Sequence, residues 1–258
     1  MRWLNSRTYP RWLLLIYLAA LGLMSINPAY TKSFLIENAL SFIVVIVVVS
    51  TYKNFRLSNL SYTLLFVFLG LNLIGSYYTH AGVPYEEWSK SLFGISINEL
   101  FGFQRNNYDR LTHFTFGLLI FYPIREVFLR IADAKGFWGY YLPLDVVISF
   151  SALYELIEYA IAVIFGESVG MLILGSQGDI WDTHKDIAMA TLGAVISMLS
   201  VAFINYLHKP RFAKDIAKSL EVKRKTPLGE YALRRMIALK RMREKMVIKV
   251  KSMRKKKD

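Results

Sequence analysis

The sequence contains no cysteine, which excludes a disulfide framework, a thiolate metal site and a cysteine nucleophile. Its four histidines form no His-Glu-x-x-His or other recognised metalloenzyme signature. Cationic residues are scarce over most of the chain. Residues 1–208 hold 13 Lys and Arg against 14 Asp and Glu, whereas residues 209–258 hold 19 against 5. The net charge of +13 therefore belongs to the tail, and so does the pI near 9.8. No repeat or low-complexity segment precedes that tail. A small-x-small cleavage site is missing after the first apolar run, where Asn27, Pro28, Ala29 and Tyr30 follow. The run behind Arg2, Arg7 and Arg11 therefore reads as an uncleaved first span.

What is abundant is apolar sequence. Of the 258 residues 54% are hydrophobic, against about 45–50% in an ordinary soluble domain, and the mean hydropathy is +0.33. A spanning helix needs about 20 mostly apolar residues. Stretches near 10–27, 34–51, 60–79, 108–130, 142–165 and 184–207 qualify. The β-branched run 42–49 lies inside the second of these and reads as helix, because lipid offers no partner to an open strand edge. Arg2, Arg7 and Arg11, then Lys53 and Arg56, then Arg125, Arg130 and Lys135, and finally the tail alternate with loops poor in Lys and Arg. The positive-inside rule puts all four basic segments in the cytoplasm. The expected fold is all-α: a polytopic membrane helix bundle of about six transmembrane helices with both termini cytoplasmic. Residues 1–208 form the spanning domain and 209–258 the basic tail. The aromatic-rich loop 80–107 is expected to lie in the headgroup layer on the outer side.

The last three spans carry ionisable residues. Asp109 and His113 stand four apart and share a helical face, as do Glu155 and Glu158 three apart and Asp182 and Asp186 four apart. At 1.5 Å per residue Glu155 and Glu158 lie roughly 20 and 24 Å from the inner end of their span, in the outer third of a core about 30 Å thick. Asp109, Asp182 and Asp186 fall at the outer mouth of the neighbouring spans, with His113 roughly 6–8 Å deeper. Three distant segments thus bring acids and a histidine to one level of the membrane; an ionised group costs about 2.5–3.5 kcal/mol at mid-bilayer on insertion scales, so such groups usually pair or serve a purpose. Three readings compete: a structural polar knot in which Arg110 and Lys185 pair with acids, a divalent-metal or acid/base centre, and an ion or proton path. Carboxylates and imidazole suit Mg²⁺, Mn²⁺ or Zn²⁺, and paired acids supply one proton donor and one acceptor. Gly175 to Asp179, with Gln177 and Gly178 between, precedes a helix and reads equally as a tight turn or as an anion-binding re-entrant loop. Arg110, Gln177, Gly178, Asp179 and Trp181 are the candidate substrate-binding residues. Arg125, Glu126, Arg130 and Asp145 are expected to snorkel or pair at the inner interface, and His80 and His208 receive no role.

Arg105-Asn106, Tyr108-Asp109-Arg110, His113-Phe114, Gly117, Arg125-Glu126, Tyr154-Glu155, Glu158, Gly175, Gln177-Gly178-Asp179, Trp181-Asp182-Thr183 and Asp186 form a long ordered set that resembles the YjdF-like inner-membrane proteins. That family has no established activity. His184 and Ile187 stand where Gln and Met are usual in it. A looser similarity, to VanZ-like membrane proteins, rests on Asp-x-x-x-His, the following Glu pair, and Asp182, Asp186 and Gly193. It implies an envelope setting.

In the tail, Thr226-Pro227 reads as a helix start. Leu228, Ala232, Met236, Leu239, Met242, Met246 and Val250 recur every three or four residues, an apolar stripe beside Arg234, Arg241 and Lys245. Such a helix suits anionic lipid headgroups, at about 1 kcal/mol per basic residue; a solvated, partly disordered tail fits the composition equally. No nucleic-acid fold accompanies it. The leading functional expectation is an envelope- or lipid-related hydrolase or transferase in the plasma membrane. It would act on a small-molecule or lipid-linked substrate with Asp109, His113, Glu155, Glu158, Asp182 and Asp186 as working residues. A divalent metal is allowed for. The alternatives are a transporter or proton-coupled carrier, and a structural membrane partner.

Overall fold

A helix satisfies its backbone hydrogen bonds internally, which is what an apolar segment in lipid requires. In a computed structural model, which describes residues 8–166, 175–223 and 227–254, no strand occurs among the described residues. Helix α1 spans Tyr9–Met24, with Pro10 in the first turn, where a missing N–H costs nothing. Helix α2 spans Thr31–Thr51 and contains the β-branched run. Helix α3 spans Asn59–Tyr78 and is capped by the Ser58 side chain, which accepts from the Ser61 amide. A short 3₁₀ turn, His80–Gly82, and two small helices, α4 (Tyr85–Phe93) and α5 (Ile97–Phe101), occupy the long loop. Then come α6 (Tyr108–Ile131), α7 (Trp138–Phe165), α8 (Asp182–His208), α9 (Phe212–Ser219) and α10 (Leu228–Arg254).

Among the described residues four helices, α2, α3, α7 and α8, are long and apolar enough to cross a membrane. The other two expected spans differ for separate reasons. Helix α1 is apolar but only 16 residues long. Helix α6 has 24 residues but carries Asp109, Arg110, Arg125, Glu126 and Arg130.

Helix α6 is the centre of the bundle, with α3, α7 and α8 packed around it. Its seam with α8 is made by glycines. A Cβ on Gly117 would overlap the Ala190 carbonyl oxygen, and one on Gly193 would overlap the Phe114 carbonyl oxygen. Small residues let two backbones approach this closely, which supplies the packing that drives helix association in lipid. Further along the same three helices, Phe121, Val147 and Ala194 are fully buried, with Phe116, Ile124, Leu144, Met198 and Val201 against them. A second core of Tyr17, Leu21, Phe34, Leu69 and Leu73 joins α1, α2 and α3. Apolar side chains such as Leu15, Ile46, Leu156 and Leu199 are more than half exposed, the outward face expected when lipid is the solvent. At its far end α6 sends Glu126 to the start of α3, where the carboxylate accepts from the Ser58 amide at 2.9 Å and the Ser61 hydroxyl at 2.6 Å, and pairs with Arg130 at 2.7 Å.

The chain divides into two compact units, residues 1–219 and 220–258. The first includes α9, whose Ser219 accepts from the Phe137 amide at 2.8 Å through its hydroxyl and from the Trp138 indole at 3.0 Å through its carbonyl. Phe212 packs edge-on to Tyr140 and Tyr206. The second unit is dominated by α10, whose first turn closes from the Tyr231 amide to the Pro227 carbonyl. Met236, Leu239, Met242 and Met246 are exposed along it. Arg2, Arg7 and Thr226 lie outside the described residues, as do the side chains of Leu228 and Val250.

Candidate functional site

The first turns of α6 aim Asp109 and His113 at α8, where Asp186 meets them. One ligand atom from each of these three side chains lies within 4.8 Å of the others. Helix α7 adds Glu155, whose Oε1 is 3.2 Å from His113 Nε2, close but not hydrogen-bonded; Asp109 Oδ1 is 3.8 Å from the same nitrogen. One turn away from Glu155, Glu158 lies beside the Tyr154 hydroxyl, and the Tyr154 ring stands edge-on to His113 at 5.8 Å. Glu155 also lies near the Thr183 side chain at the start of α8. Asp109, His113, Glu155, Glu158, Asp182 and Asp186 are each at most 7% exposed.

The acids divide into a paired rim and an unpaired interior. In the rim, Arg105 pairs with Asp182. Arg110 Nη2 lies 2.6 Å from Asp179 and 3.4 Å from Asp182, and Lys185 Nζ lies 2.6 Å from Asp179. The Lys185 ammonium, then the Trp181 amide at 3.0 Å, with Arg110 assisting, hold the Asp179 carboxyl down at about 2. In the interior, Asp109, Glu155 and Asp186 gather around His113 with Glu158 close by, and among the described residues none of these four acids has an arginine or lysine ion pair. Asp186 Oδ1, Asp182 Oδ2 and Glu155 Oε1 are buried with no hydrogen-bond partner. Leaving ionised groups buried and unpaired is expensive, so such a set takes up either protons or a cation.

Residues 175–181 turn across the mouth. Gly175 has φ +56°, and a Cβ there would come within 2.9 Å of Asp109 Oδ2, so only glycine lets the backbone pass over that carboxylate. Gln177 clasps the Asn106 backbone, donating to its carbonyl at 2.9 Å and accepting from its amide at 3.2 Å, while Arg105 donates to the Ser176 carbonyl. Of the five expected substrate-binding residues, Arg110 and Asp179 belong to the rim and Gln177 fastens the turn. Gly178 and Trp181 are exposed, and Trp181 packs on His184.

Two residues join the cluster that spacing alone did not bring forward. Glu37 of α2 is buried; it accepts from Ser33 at 2.5 Å and meets His80 Nδ1 at 3.0 Å. His80 also feels the charges of Asp109 and Asp186. Burial, the largest single influence, works against its charge, but Glu37 together with Asp109 and Asp186 pushes the imidazole up to about 9. The available signal was Glu37 itself, the only acid in the stretch 34–51.

The family described as "Predicted membrane protein (DUF2238)" matches residues 9–206. "Inner membrane protein YjdF" of Escherichia coli (strain K12) is 32% identical over 210 residues, covering 81% of this chain and 93% of the relative. No solved structure matches. The resemblance read from the ordered residue set is thereby borne out, and the chain is a membrane protein.

Proposed function

As the chain belongs to the DUF2238 family of predicted membrane proteins, we propose that it is an inner-membrane enzyme built around a divalent-cation centre at Asp109, His113 and Asp186. The single observation that carries this reading is the convergence of those three buried ligands among acids that lack a fixed counter-ion. A bound cation would offset that charge, polarise a substrate oxygen and lower the pKa of a coordinated water. The chain's own residues then have separate tasks. Glu155, beside His113, and Glu158, beside Tyr154, are placed to accept and return a proton. Asp182, fixed by Arg105, orders the start of α8, while Arg110 and Lys185 with Asp179 set the charge at the mouth.

The substrate class is a lipid-linked or small envelope molecule, hydrolysed or serving in group transfer. Beside the rim, α4 and α5 present Leu92, Phe93, Leu100 and Phe101, each more than 60% exposed. They are tied to it because the Asn107 amide donates to the Tyr85 hydroxyl, which donates to Asn98. A lipid tail can lie on such a surface while its head reaches the acids. In this reading α1, α2, α3, α6, α7 and α8 are the six spans, the termini are cytoplasmic, and the site faces outward. Packing of α6 against α3, α7 and α8 supports it, because that places its acids against protein and away from lipid.

Metal analysis of the purified protein tests the reading. The native chain should retain Mn²⁺ or Zn²⁺ at one equivalent, with affinity falling at least tenfold in Asp186→Ala, on the order expected even for lost supporting contacts. Asp133→Ala, in an exposed pair with Lys135, serves as the control. Equal metal uptake by native protein and a D109A/D186A double variant would sink the proposal. Proton or ion transport predicts instead a liposome flux abolished by Glu158→Gln. The fully buried layer of Phe121, Val147 and Ala194 between the cluster and the opposite end of the bundle counts against that alternative. A structural partner predicts only lost stability.

A further inference from the structure

Helix α6 buries a second charge, on the other side of the Phe121 layer, that the acidic cluster does not use. Arg125 is 9% exposed. Surface pairing describes its neighbours Glu126 and Arg130, which bond each other, but not Arg125. Among the described residues Arg125 takes part in no ion pair, and its buried Nε has no hydrogen-bond partner. One face of the guanidinium lies on the Tyr140 ring, 4.6 Å from its centroid. Tyr140 is held in turn by Asn205, whose Nδ2 is 3.0 Å from the phenol oxygen. An aromatic face stabilises a cation but does not neutralise it, and it leaves the N–H edge free. A buried charge without a counter-ion is costly, and within a membrane protein it is a functional group by default.

The surroundings favour an anion. Helix α9 closes on this end of the bundle through Phe212 against Tyr140. Residues 209–219 carry Lys209, Arg211, Lys214 and Lys218, all exposed, against Asp215 alone. Arg125 lies 17 residues along α6 from Tyr108, about 25 Å at the helical rise. If α6 crosses the bilayer, as the functional reading holds, that distance brings Arg125 to the opposite edge of a hydrocarbon core about 30 Å thick. Lipid phosphates lie there. The planar N–H edge of a guanidinium matches two oxygens of one phosphate, a match that an ammonium lacks.

We propose that Arg125, backed by Tyr140 and Asn205, is a binding site for a phosphate oxyanion, supplied by the headgroup of a membrane phospholipid. The site is separate from the acidic cluster, so loss of metal binding there leaves it standing.

The test uses the full-length chain in mild detergent, with phosphatidylglycerol and inorganic phosphate as alternative probes. Lipid retention is followed by native mass spectrometry and stability by thermal unfolding. Phosphatidylglycerol should be retained and should raise the unfolding temperature. Arg125→Gln should weaken that response on the order of tenfold, the loss expected for a charge-assisted bidentate contact. Lys32→Gln, exposed in the first turn of α2, should leave it unchanged. Arg125→Lys keeps the charge but not the fork, so an intermediate loss is expected there; it also serves if the glutamine variant does not fold. A response to inorganic phosphate but not to the lipid, lost in Arg125→Lys, upholds the oxyanion site and assigns it a soluble ligand. If native protein and both Arg125 variants respond alike to each probe, the site does not exist.

Discussion

Glu37 stands alone as an acid in its span, and its burial is explained by the His80 imidazole 3.0 Å away. Because His80 is pushed up to about 9 from an ordinary 6.5, the pair contributes stability that is fully present below pH 6.5. That contribution is lost as pH rises through about 9. The unfolding temperature in detergent should therefore fall between pH 6.5 and 9, and His80→Gln should flatten this dependence. An unchanged slope in the variant would assign the pH effect elsewhere. The seam glycines allow a second test at this scale. Gly193→Ala sets a methyl against the Phe114 carbonyl and should cost about 1–3 kcal/mol, the range for overpacking, read as a drop in thermal stability. Same-face spacing made Asp109 and His113, and Asp182 and Asp186, legible, because that relation is local to one helix. The pairing of Glu37 with His80 joins residues far apart in the chain, and no periodicity records it.

At the scale of elements, α6, a span only in the proposed six-helix reading, combines properties that obscure such a role in composition. Its acids and arginines lower its hydropathy, yet α3, α7 and α8 surround it. A protein-lined helix needs no apolar face toward lipid, so composition alone undercounts such spans. The small helices α4 and α5 were legible only as an aromatic-rich loop. The turn 175–181 depends on Asp179, which gathers Arg110, Lys185 and the Trp181 amide. Its carboxyl is held at about 2, below the ordinary 3.8, so its contribution is present above pH 3.8 and fades as pH falls through about 2. Asp179→Asn should loosen the turn at neutral pH, measured as faster amide exchange in residues 176–182, with little change in α7. Equal exchange in both proteins would mean the turn is held by Gln177 and Arg105 alone.

The whole molecule separates a membrane unit, residues 1–219, from the basic unit, 220–258. A chain ending at Ser219 should keep the thermal stability of the full chain, since α9 with its Ser219 bonds lies within the first unit. The full chain should sediment with anionic vesicles more strongly than the shortened one, and salt should erase the difference. Equal vesicle binding would remove lipid contact from the tail's role. The charge split between the two units was legible from composition, whereas the extension of the first unit to Ser219 was not, because the Ser219 hydroxyl and carbonyl that secure α9 leave no mark in hydropathy.

Under the proposed topology, the layer of Phe121, Val147 and Ala194 would also set how the protein meets the membrane voltage. Electric potential drops chiefly across low-dielectric material, and each elementary charge crossing 100 mV gains or loses about 2.3 kcal/mol. A cation reaching Asp109 and Asp186 from the near side stops short of that layer and so traverses little of the field. If the acids hold a cation within the membrane, as proposed, their occupancy should be the same in polarised and depolarised vesicles, and the site would be electrically silent.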